Sequence, residues 1–124
     1  MTSVLAIDDS RTMREMVSRT LSAAGFSVTT AEDGVLGVEA FRKARFAAVI
    51  TDINMPNMDG FGVIDAIRKG DVNRKVPILV LTTESGAALK ERARQARATG
   101  WIVKPFDDDA LVDVIRRVTG TLPE

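Results

Sequence analysis

Apolar positions in this chain alternate between short unbroken runs and stripes at helical spacing. Val4-Leu5-Ala6-Ile7 lies inside a run from Ser3 to Asp8, the pattern of a strand covered on both faces. From Ser10 the spacing turns helical, with Met13, Met16, Val17, Thr20, Leu21 and Ala24 on one stripe. Ser10 suits the N-cap of that helix and Gly25 its stop. Phe26 to Thr30 predicts a second strand, and Asp33 caps a helix with Leu36, Ala40 and Phe41 inward. Arg45 to Thr51 predicts a third strand ending at Asp52. Asn54-Met55-Pro56-Asn57-Met58-Asp59-Gly60 is a loop by composition, its Asp59-Gly60 reading as a turn and helix start. Phe61, Ile64 and Ile67 then face inward on a helix, and Val76 to Leu81 predicts a fourth strand. Ala87 to Ala98 is a helix built mostly of Ala, Arg and Lys, and Trp101 to Val103 a short fifth strand. Asp107 to Asp109 open the last helix, where acidic residues complement the helix dipole, and Leu111, Val114, Ile115 and Val118 form its buried stripe. Gly120 to Glu124 reads as a frayed end.

Five βα units without internal repeats predict a doubly wound α/β domain with a parallel sheet and right-handed connections. One domain over residues 1–124 accounts for the length. Ligands of such sheets bind outside the carboxyl ends of the strands. Four runs end there in polar residues: Asp8-Asp9, Asp52, Thr82 and Lys104-Pro105. If the strands are parallel neighbours, three carboxylates, a hydroxyl and an ammonium share a small volume. Carboxylates that close repel one another unless a cation lies among them. The endings therefore predict a divalent ion, an anion held by Lys104 and Thr82, and a carboxylate between them. Read singly, each residue also has a plainer role. Asp8-Asp9 suits a helix cap, Asp52 a turn, Lys104 a solvated surface lysine and Thr82 an ordinary strand threonine.

Composition narrows the chemistry. Seventeen Lys+Arg balance seventeen Asp+Glu, which removes the bulk positive field of a nucleic-acid binder. With no cysteine, thiol catalysis, disulfides and Cys-ligated zinc are excluded; with no histidine, the chain carries no phosphohistidine of its own. No apolar run approaches the ~20 residues that span a bilayer, and no basic, apolar leader opens the chain, so a cytoplasmic protein is expected.

With these residues placed, the chain resembles response-regulator receiver domains, most closely the stand-alone CheY-like chemotaxis type. The resemblance rests on Ala6-Ile7-Asp8-Asp9-Ser10, Asp52 through Gly60, Leu81-Thr82 and Lys104-Pro105-Phe106, in order and with compatible spacing. It implies a flavodoxin-like (βα)5 fold with strand order 2-1-3-4-5. It implies that Asp52 is the phosphoacceptor, assisted by Lys104 and Thr82. Asp8, Asp9, Asp52 and the backbone carbonyl of Asn54 would ligate Mg2+, and Lys104-Pro105 would be a cis peptide. Asn54 and Glu84 would tune loss of the phosphoryl group. Thr82 and the aromatic three residues before the lysine, here Trp101, would form the switch. Tyr or Phe is the usual type there, and the indole N–H of Trp needs a partner when buried. Thr83 departs from the smaller residue common after the switch threonine.

The implied partners are a histidine kinase as donor and a flagellar motor switch protein, or another downstream protein, on the face from Ala87 to Thr119. No output domain is expected after the last helix, and a monomer that binds neither nucleic acid nor membrane is the expected state. A phosphorelay intermediate or phosphate sink is the nearest alternative. A small Mg2+-dependent phosphatase with Asp52 as nucleophile is an alternative of another class. Such enzymes usually place a second acidic residue two positions on, where this chain has Asn54. A flavodoxin-like electron carrier is disfavoured, because Asp8-Asp9 would lie where a flavin phosphate sits.

Overall fold

The structure, a computed structural model, describes residues 2–120. Five parallel strands run in the order β2-β1-β3-β4-β5, as the resemblance implies. The strands are β1 (Ser3–Ile7), β2 (Ser27–Ala31), β3 (Ala48–Thr51), β4 (Ile78–Thr82) and β5 (Gly100–Val103). They alternate with helices α1 (Arg11–Ala23), α2 (Gly34–Lys43), α3 (Gly60–Lys69), α4 (Ala87–Gln95) and α5 (Asp108–Thr119).

The continuous apolar runs follow from burial on both sheet faces. Side chains alternate across a strand, so β1 sends Leu5 and Ile7 to one face and Val4 and Ala6 to the other. The first face packs with Val49, Ile78 and Val80 against Val38 and Phe41 of α2 and Val63, Ile64 and Ile67 of α3. The second packs with Ala48, Ile50, Leu79 and Leu81 against Val17 and Leu21 of α1 and Leu111 and Ile115 of α5. The central strands β1, β3 and β4 are thus enclosed, and β2 and β5 form the edges.

Side-chain caps start four helices where the sequence places them. Ser10, Asp33, Asp59 and Asp107 accept backbone N–H bonds from Met13, Leu36, Gly62 and Ala110. Helix α4 lacks such a cap, with Gly86 at that position.

Several expectations need correction. Leu36 does not face inward: it is 41% exposed, and α2 presents Gly37, Val38 and Phe41 to the sheet instead. A Cβ at Gly37 would overlap the Ile7 side chain, so the helix approaches β1 through its glycine and turns Leu36 outward. Met16 is 39% exposed, at the rim of the α1 stripe, while Val17 and Leu21 carry its contact. Val114 and Val118 are only half-buried, leaving Leu111 and Ile115 as the anchors of α5. Helix α4 stops at Gln95 rather than Ala98, because Arg97 takes a left-handed conformation with φ 71°. Strand β3 begins at Ala48, not Arg45; β4 runs from Ile78 through Thr82, and β5 begins at Gly100. Phe26 precedes β2 and is buried. The expected frayed tail beyond Gly120 lies outside the described residues. Among the described residues, no helix is long and apolar enough to cross a membrane.

Candidate functional site

Strand registry brings the polar endings together. Ile7 of β1 pairs with Thr51 of β3, and Thr82 of β4 with Val103 of β5, so Asp8, Asp52, Thr82 and Lys104 emerge at the same edge of the sheet. Two hydrogen bonds continue the ladders there: Asp52 N–H donates to the Ile7 carbonyl at 3.0 Å and Lys104 N–H to the Thr82 carbonyl at 2.7 Å. The Lys104-Pro105 peptide is cis, as expected.

Lys104 is the centre of the charge arrangement. Its Nζ donates to Asp8 Oδ2 at 2.8 Å and to Asp52 Oδ2 at 2.9 Å. All three side chains are about nine-tenths buried. The remaining oxygens are spoken for by backbone: Asp8 Oδ1 accepts from Ser10 N–H at 2.9 Å, and Asp52 Oδ1 from Ile53 N–H at 2.6 Å. Burial raises the Asp8 pKa above the ordinary carboxylate value and outweighs the hydrogen bond from Lys104. Burial also disfavours the Lys104 ammonium, but the bonds and charges of Asp8 and Asp52 together overcome it and raise its pKa.

Asp9 completes the acid group from the exposed side. One carboxylate oxygen from each of Asp8, Asp9 and Asp52 lies within 4.8 Å of the others. Asp9 makes no hydrogen bond or ion pair among the described residues, so this corner carries more negative charge than Lys104 balances. An all-oxygen donor set, in a chain without His or Cys, suits a hard divalent cation such as magnesium. The Asn54 carbonyl likewise accepts no hydrogen bond among the described residues, which leaves it free for a ligand.

Thr82, Glu84 and Trp101 form a second group beside the acids. Thr82 is buried, and its Oγ1 accepts from the Glu84 N–H at 3.3 Å. The Glu84 carbonyl accepts from Trp101 Nε1 at 2.9 Å, which supplies the partner that the half-buried indole needs. The backbone of one residue, through its N–H and its C=O, thus joins the hydroxyl at the end of β4 to the ring on β5. The Glu84 side chain reaches the other way and accepts from Asn54 Nδ2 at 3.4 Å on the exposed rim.

All the residues expected from the sequence therefore meet at one end of the sheet, and three others support them through contacts that the sequence did not show. Arg14 Nη1 donates to the Asp8 carbonyl at 2.8 Å, clasping the turn that holds the acid pair. Asn57, at φ 69°, donates from Nδ2 to Asp33 Oδ2 at 2.9 Å and ties the loop after Asp52 to the start of α2. Gly60 fits because its position is crowded: a Cβ would overlap the Asp52 carbonyl oxygen.

Comparison with known proteins matches this arrangement to one family. The model of the response regulator receiver domain matches residues 4–116. The chain belongs to the response-regulator receiver family. Chemotaxis protein CheY1 of Helicobacter pylori is 38% identical over 123 residues, covering 95% of this chain and 97% of the relative. The structure of Vibrio cholerae chemotaxis protein CheY4 superposes with a TM-score of 0.91 at 45% identity, covering 95% and 98% of the two chains. A receiver domain of a Pseudomonas aeruginosa sensor histidine kinase, solved with a magnesium ion coordinated in its active-site cleft, gives a TM-score of 0.89 at 27% identity, covering 96% and 98%. The chain is thus a receiver of the CheY-like chemotaxis class.

Proposed function

We propose that Asp52 of this receiver accepts a phosphoryl group from the phosphohistidine of a histidine kinase, and that the modified domain then binds a downstream partner. The observation that carries the proposal is the Lys104 ammonium shared between Asp8 and Asp52, with Asp9 beside them. A carboxylate oxygen of Asp52 attacks phosphorus; the P–N bond to the donor imidazole breaks, and its electron pair leaves with the ring. The product is an acyl phosphate. Such transfers depend on positioning and charge neutralisation more than on acid–base chemistry. Lys104 serves as a point charge for a phosphoryl oxygen and the Thr82 hydroxyl as a donor to another. Asp8, Asp9, Asp52 and the Asn54 carbonyl are the residues that would hold magnesium, whose part is to neutralise the transferring group. Hydrolysis reverses the state: water attacks phosphorus, the acyl P–O bond breaks and inorganic phosphate leaves. Asn54 and Glu84, paired across the rim, stand where they tune that access.

Transmission to the surface runs through Thr82. A phosphoryl oxygen that draws the Thr82 hydroxyl competes with its bond to the Glu84 N–H. The carbonyl of the same residue holds Trp101, so a change at the hydroxyl is felt by the ring on β5. The difference in these contacts between the two states sets how far the equilibrium moves. The output face is α4, β5 and α5, residues 87–119, and the partner this reading favours is a flagellar motor switch protein. A phosphorelay role predicts a histidine phosphotransfer protein instead, and pull-down against each, with and without phosphodonor, separates the two. This reading expects a cytoplasmic protein that acts as a monomer.

The direct test is intact-mass spectrometry after incubation with acetyl phosphate and magnesium. One added phosphoryl group per wild-type chain and none on Asp52→Asn is the expected result. Equal labelling of both chains would remove Asp52 from the role.

A further inference from the structure

The opposite end of the sheet, where β4 and β5 begin, carries a second concentration of charge of the other sign. A cavity of about 370 Å3 there is lined by Arg68, Arg74, Lys75 and Arg97. No carboxylate lines it, and none of the four is ion-paired among the described residues.

Arg68 forms a fixed floor. Its Nε and Nη2 donate to the Arg97 carbonyl at 3.0 and 2.9 Å, and its Nη1 to the carbonyls of Arg74 and Val76 at 2.6 and 2.7 Å. These bonds use four of the five guanidinium N–H groups and stitch the α3–β4 connection to the end of α4. Burial first, and then the charge of Arg97, make the Arg68 cation less favourable than usual. Arg74, Lys75 and Arg97 are exposed around this floor. Cations near helix carboxyl ends offset the helix dipole, which accounts for Arg68 at the end of α3 and Arg97 after α4. It leaves Arg74 and Lys75, beyond α3 on the connection, without such a reason.

We propose that this cavity binds a diphosphate group, either as the free anion or as part of a nucleotide. A compact multivalent anion matches four converging cations. The lining offers no aromatic or aliphatic side chain to anchor a protein partner, so charge is the only feature to be recognised. Bound there, the anion bridges the α3–β4 connection and the residue that ends α4, a helix of the output face.

The test is amide chemical-shift titration of the full chain with sodium diphosphate in metal-free buffer, so that the acid cluster takes no part. Saturable shifts confined to residues 68–76 and 97–99 are expected, weakening as salt is raised. Each removed exposed cation costs about fivefold in affinity, so the triple variant R74Q/K75Q/R97N should bind about a hundredfold more weakly. Asn suits the left-handed backbone at position 97, which keeps the variant folded. Asp52→Asn should bind as wild type does, which separates this site from the phosphoacceptor reading. Shifts with ADP at the same amides support the nucleotide source, and shifts with diphosphate alone support the free anion. Shifts centred on Asp8, Asp52 and Lys104, undiminished binding by the triple variant, or tighter binding of a hexaglutamate peptide than of diphosphate would each overturn the proposal.

Discussion

Replacing Asp9 by Asn tests whether the acid cluster is held under repulsion. Asp9 is the exposed member, without a hydrogen bond of its own, and its oxygen lies within 4.8 Å of those of Asp8 and Asp52. Two unit charges at that separation repel by about 0.9 kcal/mol at the dielectric constant of water, the limit suited to an exposed group. Repulsion from two neighbours approaches 2 kcal/mol, and attraction to the single Lys104 ammonium returns roughly half of it. Asp9→Asn should therefore stabilise the metal-free domain by about 1 kcal/mol, raising Tm by ~4 °C. The gain reverses when magnesium is added. A cation that binds only the folded wild type stabilises it by about 2.7 kcal/mol at a hundred times its dissociation constant, and the variant forfeits most of that term. Urea denaturation of both chains, with chelator and then across a magnesium series, measures both halves. A variant less stable than wild type in chelator, or one stabilised by magnesium as strongly as wild type, would refute the reasoning.

Three further substitutions probe the supports of the site. Gly60→Ala places a methyl group against the Asp52 carbonyl and 2.9 Å from Ile53 Cα, and should cost about 2 kcal/mol in urea denaturation. Asp33→Ala removes both the α2 cap and the anchor for Asn57. It should cost about 1 kcal/mol, and hydrogen exchange should speed in residues 54–59 as well as at the start of α2. Trp101→Phe breaks the bond to the Glu84 carbonyl for about 1 kcal/mol. Because Trp101 is the chain's single tryptophan, wild-type fluorescence reports the surroundings of this indole alone, and it should shift when acetyl phosphate and magnesium are added. An unchanged spectrum on a chain shown by mass to be phosphorylated would disconnect the ring from the switch.

The sheet was legible because burial on two faces leaves a plain mark. Strands such as Val4–Ile7 and Ile78–Leu81 must be apolar at every position, and each ends abruptly where the chain leaves the core. Residues to which the proposed function assigns the chemistry stand at those ends, so Asp8, Asp52, Thr82 and Lys104 could be picked out before any geometry was known. Helix faces were harder. Hydrophobicity ranks Leu36 above Gly37, but contact distance decides which of them turns inward, and only the glycine lets α2 close on Ile7. The end of α4 was misplaced for a related reason. Arg97 adopts a conformation usually marked by Gly or Asn, so the stop has no residue signature.

The link from Thr82 to Trp101 was hidden for a deeper reason. It passes through the N–H and C=O of Glu84, which any residue other than proline supplies alike. The Glu84 side chain, the part a sequence displays, points instead to Asn54 on the rim. Under the proposed function, one residue therefore serves two purposes that the sequence does not separate: its side chain bears on access to Asp52, and its backbone N–H and C=O on communication away from it. Substitutions at position 84 should accordingly alter phosphoryl lifetime while preserving the response of Trp101. Proline is the exception, because it lacks the N–H that Thr82 accepts. Glu84→Gln and Glu84→Pro, compared by phosphoryl lifetime and by tryptophan fluorescence, separate the two roles. Loss of the fluorescence response in Glu84→Gln while labelling persists would place the link in the side chain and contradict this account.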